Sequence, residues 1–133
     1  MSDFRIDLRV RFAETDAMGV AHHAAYLPYL EAARVEYLRA LGHPYGELRD
    51  RDGIEFVVVG VDLRYHTPLR FDEEFTVTCA LAQRSRATFS LVYRVERGTR
   101  LVLSGRTRHA VLDRESGSPR RVPDWLAAMP VQH

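Results

Sequence analysis

Ala24-Ala25-Tyr26-Leu27-Pro28-Tyr29-Leu30-Glu31-Ala32-Ala33-Arg34-Val35-Glu36-Tyr37-Leu38-Arg39-Ala40-Leu41-Gly42 carries the one long helical period in this sequence. Tyr26, Leu30, Ala33, Tyr37 and Leu41 recur at three- and four-residue spacing, joined by Leu27, Arg34 and Leu38. That spacing predicts an amphipathic helix of about five turns over 24–41. Pro28 falls in or just past the first turn, where its missing N–H removes little. Gly42 stands at the position that ends such a helix, and Pro44 follows it. Glu31 and Arg34, at i,i+3 spacing, are expected to pair on its surface.

Everything around this helix alternates. Phe4, Ile6, Leu8, Val10 and Phe12 interleave with Arg5, Asp7, Arg9 and Arg11, which predicts a strand with one wet and one dry face. Ala13 to His22 breaks the pattern and reads as a loop. After a polar stretch, Leu48 to Gly53, four more strands are predicted over 55–65, 74–82, 86–96 and 100–112. In the first of these, Val57, Val59, Val61, Leu63 and Tyr65 are expected on one face. The short connections at 83–86 and 97–99 predict antiparallel hairpins. Trp125 to Met129 is expected to form a short terminal helix. The order strand, long helix, four strands predicts an α+β domain over 1–133, with one helix packed on a bent antiparallel sheet of about five strands. Such a sheet has open edges, and a homo-oligomer is expected to cover them.

Composition narrows the function. With a net charge of +1, the chain has no global attraction to nucleic acid or to anionic membrane. No apolar run approaches the roughly 18 residues of a membrane helix. Met1 to Arg5 lacks the pattern of a signal peptide, so a cytoplasmic location is expected. Cys79 is the single cysteine, which excludes an intrachain disulfide and a cysteine-built zinc site. It sits in the alternating run Phe75-Val77-Cys79-Leu81 and reads as a small buried apolar residue. All 19 basic residues are arginine, so no lysine is present to form a Schiff base.

The chemistry-bearing stretch runs from Arg11 to Tyr26, between the first strand and the helix. A helix N-terminus presents unpaired N–H groups and the positive end of the macrodipole, suited to a carbonyl oxygen that gains charge. Asp16 lies a few residues upstream, and Gly19 allows the loop to fold back. A carboxylate there can attack the carbonyl or activate water. An aspartate before a helix also serves as a cap or turn former. Glu14 either pairs with Asp16 or diverges from it. His22 and His23 point apart in any regular structure, which disfavours a metal site with Glu31.

This stretch resembles the signature of the hotdog-fold thioesterases of the 4-hydroxybenzoyl-CoA thioesterase family, in particular its YbgC/FadM-like branch. The matching positions are Thr15-Asp16, Gly19, His23 and Tyr26, followed by Glu31-Ala32-Ala33-Arg34. Downstream, Tyr65-His66-Thr67-Pro68-Leu69-Arg70-Phe71-Asp72 and Gly117-Ser118-Pro119-Arg120 resemble the family's connecting segments. Pro28 departs from the family pattern.

The resemblance implies a thioesterase acting on an acyl-CoA, with Asp16 as nucleophile or general base. The His23 backbone N–H would polarise the thioester carbonyl, and Gly19 would permit the loop's close approach. It implies no metal and no redox cofactor. It implies dimers, or tetramers of paired dimers, with the acyl pocket at the subunit interface. Tyr26 is a candidate for lining that pocket. Arg64, Arg70, Arg84 and Arg86, near strand ends and turns, are candidates for the phosphates of the coenzyme. A binding module without catalysis, a hydrolase acting on acyl carrier protein, and a hotdog dehydratase are the other readings. The histidine motif of the dehydratases is not found in this sequence.

Overall fold

The computed structural model describes residues 4–131. Strand β1 (Phe4–Arg9) leads through a single 3-10 turn (Phe12–Glu14) and a loop to a second 3-10 turn (His23–Ala25). That turn runs directly into helix α1 (Tyr26–Ala40). A short helix α2 (Tyr45–Asp50) precedes strands β2 (Ile54–Tyr65), β3 (Glu74–Arg84), β4 (Thr88–Arg97) and β5 (Arg100–Asp113), and helix α3 (Asp124–Ala127) follows. The five strands form one antiparallel sheet in the order β1-β3-β4-β5-β2. Consecutive strands β3, β4 and β5 are hairpin neighbours, as their short connections require. The sheet edges are β1 and β2. This is the α+β hotdog arrangement expected from the sequence, with α1 lying on the sheet.

Helix α1 forms where the period placed it. Tyr26, Tyr29, Leu30, Ala33, Tyr37 and Leu38 are buried, and they pack on Phe75, Val77 and Cys79 from the inward face of β3. Pro28 is the third residue of α1, so its absent N–H falls among those with no intrahelical partner. At the other end Gly42 takes a φ of +89°, and the His43 N–H reaches back to the Leu38 carbonyl at 2.9 Å. That 6→1 bond closes the helix as its sequence predicts.

Four local expectations change. The first strand stops at Arg9, because its partner β3 begins at Glu74, opposite Arg9. The chain then turns at Arg11–Glu14, which leaves Phe12 77% exposed rather than on a dry face. The first half of the polar stretch after α1 lies in helix α2, which buries Leu48 completely and is tied to β2 by Tyr45 and Arg49, both bonded to Glu55. In β2 a bulge between Val58 and Gly60 shifts the alternation. Val57 pairs with Ala110 on the convex face, while Val61, Leu63 and Tyr65 pair with Thr107, Gly105 and Leu103 on the inner face. Finally, Glu31 and Arg34 form no ion pair among the described residues. Arg34 Nη1 instead donates to the buried Tyr93 hydroxyl at 3.3 Å.

That bond begins a polar chain beneath the helix. The Tyr93 and Thr107 hydroxyls are 2.7 Å apart, and Thr107 Oγ1 lies 2.8 Å from His109 Nε2. Arg34 can only donate, so the Tyr93 oxygen accepts from it, and the two hydroxyls and the imidazole continue the chain beneath the helix. His109 is fully buried, and its Nδ1 has no hydrogen-bond partner among the described residues. Burial, reinforced by the Arg34 charge, pushes its pKa down to about 4. Cys79 is likewise fully buried, and its thiol is pushed up to about 12 by burial, as an inert core residue should be. No helix among the described residues is long and apolar enough to cross a membrane.

Candidate active site

The loop between β1 and α1 is a small hairpin. Thr15 bridges Ala21 in antiparallel fashion, and the Asp16 N–H donates to the Val20 carbonyl at 2.9 Å. The Gly19 N–H closes the turn on the Asp16 carbonyl at 3.0 Å, with Gly19 at a φ of +78°. A Cβ built on Gly19 meets nothing within 4 Å. Its glycine is therefore required by backbone conformation. The hairpin is pinned to the β2–β3 connection: Val20 bridges Arg70, Ala21 N–H donates to Leu69 O at 2.7 Å, and Phe71 N–H donates to Gly19 O at 3.1 Å.

Asp16 uses half of its carboxylate to hold this turn. Oδ1 accepts from Met18 N–H at 2.8 Å and from Val20 N–H at 3.4 Å. Oδ2 has no protein partner among the described residues, and the side chain is exposed. The turn-former reading of Asp16 is thus true of one oxygen only.

Glu14 and Asp16 diverge. Glu14 accepts from the Arg11 backbone and guanidinium and from the Tyr29 hydroxyl. Burial alone raises its pKa, but these donors outweigh it and hold the carboxyl below its ordinary value. The same pairing, with desolvation as the leading cause, pushes the Tyr29 phenol upward.

Three residues after Val20 the helical run begins. The backbone N–H groups of His23 and Ala24 are capped by no side chain and have no partner among the described residues. The His23 ring stacks on Tyr65 from the end of β2, centroids 4.1 Å apart and planes at 15°. Tyr26, the first residue of α1, lies edge-on to Tyr65 at 5.5 Å and is 2% exposed. It supports the site from below rather than presenting a free surface. Burial raises its hydroxyl pKa, so it is a neutral phenol at physiological pH. Tyr65 carries no signal of its own in the sequence beyond opening the Tyr65–Asp72 segment; only the sheet brings it to His23.

Asp16, Gly19, His23, Tyr26 and Arg70 thus converge at one end of the molecule, and Arg64 stands there on the convex face, paired with Ser104. Arg84 and Arg86 do not join them. Arg84 pairs with Phe89, while the Tyr65 level of the sheet corresponds to Val95. Six residues along β4 separate these levels, about 20 Å at 3.3 Å per residue. Arg84 also gives a guanidinium hydrogen bond to the Met129 carbonyl. Among the described residues, no three His, Cys, Asp or Glu side chains stand together as a metal-binding group.

The fold recurs in known proteins. A crystal structure of a hypothetical protein from Aquifex aeolicus superposes with a TM-score of 0.88 at 36% identity, covering 93% of this chain and 96% of that one. One from Thermus thermophilus gives 0.86 at 41% identity, covering 92% and 95%. The acyl-CoA thioesterase YbgC of Haemophilus influenzae is 30% identical over 125 residues, 94% of this chain and 92% of that protein. The family model of the thioesterase-like superfamily matches residues 10–129. With the fold and the sequence matches in agreement, this chain belongs to the thioesterase-like superfamily.

Proposed function

We propose that this protein hydrolyses acyl-CoA thioesters, with Asp16 as nucleophile or general base and the N-terminus of α1 as the carbonyl-polarising element. One observation carries the reading. Asp16 Oδ1 is fixed by two backbone N–H groups while Oδ2 is left without a protein partner, a few residues from the uncapped N–H groups of His23 and Ala24. A thioester carbonyl oxygen directed at those N–H groups gains negative charge where the backbone favours it. The carboxylate then attacks the carbonyl carbon, expelling the thiolate and leaving a mixed anhydride that water cleaves, or it takes a proton from an attacking water. Thiolate is a good leaving group, so carbonyl polarisation matters more than an acid to protonate it.

A second copy of the chain completes the assembly. Val58, Val59, Val61 and Tyr65 on edge strand β2 are each about half exposed, an apolar row with unpaired backbone groups beside it. Pairing of two β2 edges about a twofold axis covers this row and continues the sheet. The paired edges run antiparallel, so the Tyr65 end of one copy meets the Ile54 end of the other. Arg64 and Arg70 are then placed to meet the coenzyme's phosphates within one copy. Arg84 and Arg86 approach the site only from the other.

Asp16→Asn tests the assignment. Asparagine keeps an Oδ1 acceptor for Met18 and Val20, so the hairpin survives, but it can neither attack nor accept a proton. Thiol release from a panel of acyl-CoAs should fall by roughly 100-fold or more, with the unfolding midpoint little changed. Parental turnover in this variant would remove Asp16 from the mechanism.

A further inference from the structure

Between the second half of α1 and the sheet, where Leu81 of β3, Phe89 and Leu91 of β4 and Phe56 and Val58 of β2 face it, lies a cavity of about 210 Å3. A dry cavity of roughly 150 Å3 suffices to take benzene. Val35 of α1 and Val58 of β2 line it on the side of the open edge, and Leu126 and Met129 line it beside the C-terminal end of α1. Its charged lining residues, Glu31 and Arg34, come from α1. The α3 wall is firmly placed: Trp125 stacks on His43 at 4.0 Å with planes at 7°, and Arg84 holds the Met129 carbonyl.

The cavity connects with the catalytic end. Helix α1 packs against β1 and β3, leaving one flank turned toward β2. His23, Leu27, Glu31 and Val35 succeed one another at four-residue spacing along that flank, as a helix ridge does. The inner-face residues Tyr65, Leu63, Val61 and Val58 run along β2 in the matching direction. Tyr65 touches His23 at one end of this groove, and Val58 and Val35 share the cavity at the other. Leu27, Val61 and Val58 are each close to half exposed in a single copy, an apolar groove that pairing at the β2 edge roofs from outside. From His23 to Glu31 is eight residues, about 12 Å of helix.

We propose that this cavity takes the far end of a linear fatty acyl chain whose thioester lies at Asp16 and His23, and that Leu126 and Met129 set the chain length accepted. The inference rests on the thioesterase reading and adds the substrate class to it. A butyryl or benzoyl group ends in the groove; a decanoyl chain crosses the groove and enters the cavity.

The test compares kcat/KM for butyryl-, decanoyl- and palmitoyl-CoA in the parent, Met129→Trp and Met129→Ala, with unfolding midpoints measured alongside. The parent should favour decanoyl over butyryl. Met129→Trp, which fills the cavity, should lower the decanoyl-to-butyryl ratio by roughly tenfold, the scale of a blocked apolar pocket. Met129→Ala should move the preference toward palmitoyl. A chain-length profile identical in all three proteins overturns the inference while leaving Asp16 in place; it is also the result expected if a second copy's side chains fill the groove. Absence of hydrolysis with every acyl-CoA overturns the thioesterase reading and this inference together.

Discussion

The Tyr29 hydroxyl donates a 2.8 Å hydrogen bond to Glu14 Oε1, joining α1 to the segment that precedes Asp16 across 15 residues of sequence. Glu14 also accepts from the Arg11 N–H at 2.8 Å and, through its carbonyl, from the His22 N–H at 3.0 Å. Both ends of the Asp16 hairpin are therefore anchored through one residue.

Tyr29→Phe removes this anchor without changing the ring packed on Phe75. Hydrogen bonds to a carboxylate contribute about 1.5–3 kcal/mol. Partial exposure reduces that here to an expected loss of about 1–2 kcal/mol, read from urea unfolding. Turnover should fall as well, because Asp16 loses its fixed position relative to His23. A variant with parental stability and turnover would show that the hairpin holds itself.

Gly19→Ala tests backbone conformation separately from space. Its φ of +78° strains any residue with a Cβ, though no atom lies in the way. The expected loss is about 1–2 kcal/mol, with reduced turnover. Gly19→Asn should lose less, since asparagine tolerates this region best. Equal losses for both variants would point to crowding instead.

His109 gives the fold a pH dependence with a defined sign. Its folded pKa is depressed from 6.5 to about 4, so it is neutral in the folded protein at physiological pH. Above pH 6.5 neither state carries the proton, and there is no effect. As pH falls from 6.5 toward 4, the unfolded chain binds a proton that the folded chain does not, and stability declines by on the order of 2–3 kcal/mol. In His109→Gln, which keeps a partner for Thr107 but does not titrate, that decline should vanish. Unfolding midpoints measured between pH 4 and 7 in both proteins decide it; parallel curves would assign the dependence to other groups.

Val61→Lys places a charge on the inner face of the β2 edge, repeated by symmetry in a paired copy. The parent should sediment as a dimer or a larger even assembly. The variant's association should weaken by about 10- to 100-fold, with turnover lost in parallel. A parent that sediments as a monomer at assay concentrations would remove the edge-pairing model.

The sequence alone determined the skeleton. The three- and four-residue spacing from Tyr26 to Leu41 specifies one buried stripe, and the alternation in the strands specifies which residues face it. Both are local consequences of backbone geometry, so periodicity suffices to read them. The break in alternation after Phe12 and the onset of the helical period at Ala24 likewise sufficed for the loop-to-helix junction. The tertiary structure decided what depends on residues far apart in the chain. Tyr65 stacks on His23 because the β2–β5 register brings the end of β2 beside the start of α1. Arg34 turns from Glu31 to Tyr93 because the sheet offers a buried hydroxyl beneath the helix. The β2 bulge reverses one valine row because an extra residue is absorbed by pairing with β5, which no run of valines encodes. Arg84 and Arg86 lie far from Asp16 because strand direction, not proximity to a turn, sets which end of the sheet a residue occupies.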